Sequence, residues 1–380
     1  MIRDQARMDD LLQRIRQFVT DVAIPNEDRV EEEDRIPDDV IEEMRKLGSF
    51  GWSIPEEFGG SELTTEELAL AFIEFTQCSV AYRAYGGQNA GIGSGCIIED
   101  GTAEQKQRYL PKLATGEMIG CLAVTEPEAG SDATALKTRA ERVEGGYRIS
   151  GEKRYITLAP IADLYTVLAR DSGERGGDGV TAFLLERDTP GMRLGDPMPA
   201  MGQAGAPIGQ IFFDDVFAPE ETVLGGSEGT GFRSVMKTLN KQRINLSALS
   251  LGPAIRMLDE AVAYAKEREQ FGQPIAEFQL VQAMLAECKV EIEAARALIL
   301  ETARKRDRGE DVVMDVSLCK YFSTEMCGRV ADRVVQVFGG QGYVKGRGIE
   351  RFYRDVRPFR IYEGTSQIHL LNIAKNLLRQ

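Results

Sequence analysis

The apolar residues of this chain change their spacing twice, which no fold built on one repeating period accommodates. Up to about residue 120 they recur at helical intervals. Leu11, Leu12, Ile15 and Phe18 form one stripe, and Leu63 to Phe75 carries another behind Thr64-Thr65-Glu66-Glu67, a helix-start composition. Pro25, Pro37 and Pro55 punctuate the connections. From there to about residue 230 the period drops to two. Tyr147 to Thr157 alternates after a Gly145-Gly146 turn, and the runs Leu164–Leu168, Val180–Leu185 and Gln210–Val216 are bounded by Gly, Asp and Pro. Roughly six or seven strands with no helical period between them predict an antiparallel sheet rather than β-α-β units. Beyond residue 231 the helical period returns. Val281, Leu285, Cys288, Ile292, Ala295 and Ile299 share one face, and Cys319, Phe322, Met326, Val330, Val334 and Phe338 share another. Ile255, Leu258, Val262 and Ala265 form a third stripe, with Pro253 expected to start or kink its helix, and a last helix spans about Ser366 to Leu378. The chain therefore reads as α+β and multidomain: an N-terminal helical domain over 1–120, a middle antiparallel β domain over 121–230 and a C-terminal four-helix bundle over 231–380. The stretch from Gly86 to Gly95 is rich in glycine beside helical flanks, and reads either as a loop or as a helix stripped so that something can lie against it.

At 380 residues, a prior of about 150 residues per domain gives two or three domains. The 46 Lys+Arg against 60 Asp+Glu leave a net charge of −14, which argues against a general nucleic-acid binder but not against a local basic pocket for an anionic small molecule. His369 is the only histidine, so two-histidine metal sites are excluded, no metal is expected, and any Ser-His-Asp or Cys-His chemistry would have to run through that one ring. Cys78, Cys96, Cys121, Cys288, Cys319 and Cys327 are scattered, mostly within apolar patterns, and read as buried reduced thiols. The first residues carry no apolar signal core, and no stretch approaches the roughly 18–20 apolar residues of a membrane span, so a cytoplasmic protein is expected.

Nucleotide-binding glycine motifs are absent, and Gly225-Gly226-Ser227-Glu228-Gly229 fits a nucleophile elbow only formally, since no strand–turn–helix surrounds it. Leu122-Ala123-Val124-Thr125-Glu126-Pro127-Glu128-Ala129-Gly130-Ser131-Asp132 is more specific: a strand ends in hydroxyl groups, a proline and a small-residue turn. That concentrates N–H and O–H donors at a strand terminus. This string resembles the T-E-P-x-A-G-S-D signature of the acyl-CoA dehydrogenase family. Arg268-Glu269-Gln270-Phe271-Gly272, Gln336 to Tyr343 and Tyr362-Glu363-Gly364-Thr365-Ser366-Gln367-Ile368 are similar to three further family strings, in the family's order.

The resemblance implies an FAD enzyme that oxidises an acyl-CoA thioester to its trans-2-enoyl-CoA, a proton leaving the α-carbon while hydride leaves the β-carbon for the flavin. Glu363 matches the catalytic base, whose pKa burial should raise. The thioester oxygen is expected to accept from the Glu363 N–H and from a flavin ribityl hydroxyl. Some members carry the base where this chain has Gln242, which cannot take a proton. For the cofactor, Leu122, Val124, Thr125, Ser131, Tyr155 and Thr157 match the strand, turn and aromatic cover of the flavin, with tyrosine where tryptophan is usual. Arg268, Phe271, Gln336, Gly339 and Gly340 match positions reaching the FAD of a neighbouring subunit, Gln279 a further FAD position, and Thr365 and Gln367 the last FAD contacts. Ser131, Asn240, Arg243, Gly364 and Lys375 match substrate-contacting positions. Arg83 matches a position where some members bind a distal carboxylate, notably glutaryl-CoA dehydrogenases. The implied partners are an acyl-CoA, electron-transfer flavoprotein as acceptor, and further copies of the chain, most often making a homotetramer. The acyl group is expected to be short or branched, the glycines after Arg83 leaving it room, with an acid-terminated acyl group as the alternative. An acyl-CoA oxidase, a flavin-using lyase and a non-catalytic acyl-CoA binder compete with that reading.

Overall fold

A computed structural model describes residues 1–173 and 176–378. The N-terminal region is helical. Helix α1 (Gln5–Phe18) is capped by Asp4, and α2 (Thr65–Phe75) starts in a capping box between Thr64 and Glu67. Pro37 and Pro55 stand at the N-caps of short helical segments, where a missing N–H costs nothing.

The glycine-rich stretch is helical. Helix α3 (Val80–Gln88) passes through a wide turn at Asn89–Gly93 into α4 (Ser94–Asp100). The glycines let neighbouring protein approach closely. A Cβ on Gly95 would stand 2.4 Å from Thr238 Cγ2, one on Gly93 2.6 Å from the Gly120 carbonyl oxygen, and one on Gly91 2.8 Å from Gln242 Oε1. This corrects the expectation that missing side chains widen the acyl pocket: the space is taken by close packing.

The middle region is a seven-stranded sheet built from β1 (Gly120–Ala123), β2 (Arg139–Val143), β3 (Gly146–Thr157), β4 (Leu164–Arg170), β5 (Val180–Glu186), β6 (Met192–Leu194) and β7 (Ile208–Pro219). Its order is β1-β4-β2-β3-β7-β6, with β5 on β4. Pairing is mostly antiparallel, but β1 runs parallel to β4, and β2 touches β4 in parallel at one residue pair, so the sheet is mixed. The whole β2–β3 hairpin lies between β1 and β4 in sequence, long enough to carry the chain back for a parallel pairing. The β3–β7 register slips between Lys153 and Ile156. That bulge sits where Tyr155 has φ +59, and it re-aims the strand's end.

The C-terminal helices are α5 (Gly231–Glu267), α6 (Gln279–Asp307), α7 (Val313–Phe338), α8 (Ile349–Asp355) and α9 (Ser366–Leu377). The long members α5, α6 and α7 pack on one another, and α9 packs on α7. Pro253 neither starts nor ends its helix; α5 begins at Gly231 and continues past it to Glu267. The six cysteines are buried and unpaired. Among the described residues no helix is long and apolar enough to cross a membrane.

Candidate active site

A cavity of about 420 Å³ opens where the ends of β1 and β3 meet α3, α5 and the turn before α9. One face of α5 lines it through Phe232, Met236, Leu239 and Arg243, residues three or four apart and hence on one stripe. Helix α9 adds Ile368 and Asn372. The expected residues Arg83, Leu122, Val124, Thr125, Ser131, Tyr155, Thr157, Arg243, Glu363 and Gly364 all border this space.

The strand side is held by a buried ion pair. Lys153 is 0% exposed, and its Nζ donates to Glu126 Oε1 at 2.7 Å and to the Val124 carbonyl at 3.1 Å. Burial pulls the Lys153 pKa down to about 8, against the pull of Glu126. Burial alone would raise Glu126, but Lys153 and the donors around it leave its pKa below the ordinary value. Glu126 also accepts from the backbone N–H of Thr138 at 3.0 Å, and the Arg154 N–H donates to the Thr125 carbonyl at 2.8 Å. The loop carrying Thr125 and Ser131 is thus tied to β3. Tyr155 is 54% exposed beside the cavity, its ring 5.1 Å from the Arg154 guanidinium.

The opposite side carries Glu363 in a left-handed conformation, φ +55, followed by Gly364 at φ +96 and by Thr365, whose hydroxyl caps α9. A left-handed non-glycine residue persists only where its surroundings over-determine it. The Glu363 carbonyl accepts from Arg243 Nε at 3.0 Å and lies 3.2 Å from His369 Nε2; the Gly364 carbonyl accepts from Lys320 Nζ at 2.6 Å. Oε2 of Glu363 is buried without a hydrogen-bond partner. Burial raises the Glu363 pKa, and Arg83, Arg243 and Lys320 oppose that rise.

Arg83, on α3, is 6% exposed, and its Nε is buried without a partner. Among the described residues no carboxylate lies within ion-pairing distance of it. Both amide atoms of Gln88 are likewise buried and unpartnered. Gln203, from the loop between β6 and β7, reaches the same wall at φ +61 and donates from Nε2 to the Asp355 carbonyl at 2.8 Å. No motif marks Gln88, Gln203 or His369 as site neighbours. Only Lys320, a charge one residue from an apolar helix stripe, was a visible anomaly.

Family models for the N-terminal, middle and C-terminal domains of acyl-CoA dehydrogenases match residues 6–117, 121–216 and 229–378. The chain belongs to the acyl-CoA dehydrogenase family. A curated relative, the caffeyl-CoA reductase-Etf complex subunit CarC of Acetobacterium woodii, is 36% identical over 93% of each chain. The solved butyryl-CoA dehydrogenase of Megasphaera elsdenii matches all of both chains with a TM-score of 0.95 at 32% identity. A glutaryl-coenzyme A dehydrogenase solved with glutaryl-CoA matches 100% of this chain and 97% of that one, with a TM-score of 0.94 at 32% identity.

Acyl-CoA dehydrogenases are FAD-dependent oxidoreductases acting on CH–CH bonds. The residues here fit that cofactor: hydroxyls of Thr125, Ser131 and Thr157 and the exposed ring of Tyr155 border the cavity on one side, with an unpartnered carboxylate oxygen on the other. Other expected contacts of this acyl-CoA dehydrogenase lie off the cavity. Asn240 Oδ1 accepts from Arg243 Nη1 at 2.9 Å, while Lys375 and Gln367 are exposed on α9. Arg268, Phe271, Gln279, Gln336, Gly339 and Gly340 are exposed on the C-terminal helices or their connections, and Phe271 is 95% exposed. Gln242, at the alternative base position, is buried, accepts from Asn245 Nδ2 at 3.0 Å and does not border the cavity.

Proposed function

We propose that this acyl-CoA dehydrogenase interconverts a short, acid-terminated acyl-CoA and its trans-2-enoyl-CoA, with Glu363 as the base at the α-carbon and Arg83 holding the distal acid. When bound, FAD supplies the hydride acceptor for the β-carbon. Glu363 lines the cavity with a carboxylate oxygen that has no hydrogen-bond partner, in surroundings where burial raises its pKa and Arg83, Arg243 and Lys320 oppose that rise. Its backbone N–H is the proposed donor to the thioester oxygen. A relative is a reductase, and these residues serve both directions, because the proton removed from the α-carbon in one is returned there in the other.

The observation that carries the substrate class is Arg83: a buried guanidinium that feels the Glu363 charge but forms no salt bridge among the described residues, with its Nε unpartnered, bordering the same cavity as Glu363. A buried charge is costly unless paired, and a substrate acid would pair it. A short or branched hydrocarbon acyl group, the first sequence reading, would leave that charge facing a methyl group, and the glycines that favoured it are filled by packing. We further propose that Arg268, Phe271, Gln279, Gln336, Gly339 and Gly340 serve the cofactor of a second copy in a homotetramer, that Thr365 and Gln367 complete the FAD contacts, and that Ser131, Asn240, Arg243, Gly364 and Lys375 contact the acyl-CoA. The proposed acceptor is electron-transfer flavoprotein, consistent with the Etf complex in the name of one relative. The six free thiols suit a cytoplasmic setting. Anaerobic flavin bleaching by glutaryl-, succinyl-, isobutyryl- and butyryl-CoA tests the substrate class. Fastest bleaching by an acid-terminated thioester supports it; a preference for isobutyryl- or butyryl-CoA overturns it.

A further inference from the structure

We infer that Lys320 and His369 are positioning residues for the base, holding with Arg243 the two carbonyls that fix the backbone from which Glu363 enters the cavity. This rests on Glu363 being the base.

Two successive carbonyls receive three groups. Lys320 Nζ donates to Gly364 at 2.6 Å, Arg243 Nε donates to Glu363 at 3.0 Å, and His369 Nε2 stands 3.2 Å from the Glu363 carbonyl oxygen. A carbonyl only accepts, so the proton of the His369 ring sits on Nε2 and leaves Nδ1, which is buried and unpartnered, as the bare nitrogen. Gly364 allows the approach, since a Cβ there would stand 3.0 Å from His369 Nε2. Thr365 caps α9, and the His369 N–H donates to the Thr365 carbonyl, so the helix places the ring. Lys320 is fully buried in α7 among Val316, Cys319, Ser323 and Cys327. Packing alone would favour an apolar side chain there.

The arrangement also resolves an electrostatic conflict. Arg243 and Lys320 both act on the charge of Glu363, yet among the described residues neither forms a salt bridge with its carboxylate. Arg243 Nε and Lys320 Nζ are instead directed at the carbonyls behind it, and Arg243 Nη1 at Asn240 Oδ1. The carboxylate is therefore near cations without being paired to Arg243 or Lys320 in a salt bridge, and Oε2 has no hydrogen-bond partner. His369 contributes a donor with no charge: burial first, then Arg243 and Lys320, push its pKa down to about 3, so the ring is neutral throughout the working range.

The test uses FAD-loaded protein and acetoacetyl-CoA, whose acidic α-proton is removed without electron transfer; the proton passes to the Glu363 carboxylate and the enolate is read by its own absorbance. Lys320→Met and His369→Leu should lower the enolate yield about 100-fold, the scale of a base misplaced by roughly an ångström. FAD content and acetoacetyl-CoA affinity should stay within about threefold of the parent, and Lys320→Arg and His369→Gln, which keep a donor, should recover most of the yield. Parent-like enolate in the donor-less variants overturns the inference, as does loss of enolate only in step with loss of FAD or fold. Nitrogen-15 histidine labelling gives a second readout, because the chain has one histidine. The Nε2–H tautomer, untitrated between about pH 5.5 and 8.5, is expected; the other tautomer or a titrating ring overturns it. Glu363→Gln runs in parallel. Enolate formed by that variant removes the base itself, whereas its absence there, with parent-like Lys320→Met and His369→Leu, removes only the positioning roles.

Discussion

Arg83→Met removes a guanidinium while keeping an unbranched side chain on the cavity wall. In the protein without substrate that charge is 6% exposed, and its Nε has no partner, so the variant should be at least as stable as the parent. Against a thioester ending in a carboxylate the balance reverses. The acid would enter a wall where Gln88 is the other unpartnered polar group, and losing one partner of a buried charge pair costs about 2–5 kcal/mol. At about 1.4 kcal/mol per decade, kcat/KM for glutaryl-CoA should fall roughly 30- to 4,000-fold. Butyryl-CoA carries no acid and should change by less than about tenfold. Arg83 also holds the Glu363 pKa down, so the variant's activity should begin at higher pH than the parent's. Anaerobic stopped-flow bleaching with both thioesters reads all of this. Equal losses on the two would mean that Arg83 acts through Glu363 and not through the acyl terminus; no loss on either would refute the substrate assignment outright.

Because burial raises the Glu363 pKa, the bleaching rate should rise with pH through that raised value and be lost below it. Stability runs the other way. A carboxyl that binds its proton more tightly folded than unfolded adds stability at low pH, lost as pH climbs through the folded pKa, so urea titrations of Glu363→Gln should lack that slope; an identical slope in parent and variant contradicts it. Lys153→Met strands the Glu126 carboxylate and should cost about 3–5 kcal/mol by urea unfolding, partly restored by adding Glu126→Gln; parent-like stability of the single variant counts against the pair's role. Phe271→Asp, at an exposed tip, should leave thermal stability of the apoprotein unchanged and lower FAD retention on gel filtration about tenfold if the ring serves a second copy's cofactor; full retention contradicts that role.

The layers of the fold were legible because each imposes its own period: the strands from Tyr147 to Thr157 and from Leu164 were readable at once. The exposed β2 and three-residue β6 were not, since neither has an apolar face long enough to repeat. Pro253 does not start its helix: α5 begins at Gly231 and runs through it to Glu267, with the residues around it buried. At the site, motif strings located residues that border the cavity, Glu363 among them. They could not reveal Lys320 and His369, which act on carbonyls, nor Gln203, brought in by a loop over a hundred residues from Glu363 in sequence. Such partners are defined by where the backbone turns, and a left-handed glutamate leaves no trace in composition.

The most direct measurement is anaerobic flavin bleaching in Glu363→Gln, with FAD content and acyl-CoA binding matched to the parent. A fall of about 10²- to 10⁴-fold is predicted for loss of a general base. Bleaching within tenfold of the parent would contradict the account, for then some other group takes the α-proton.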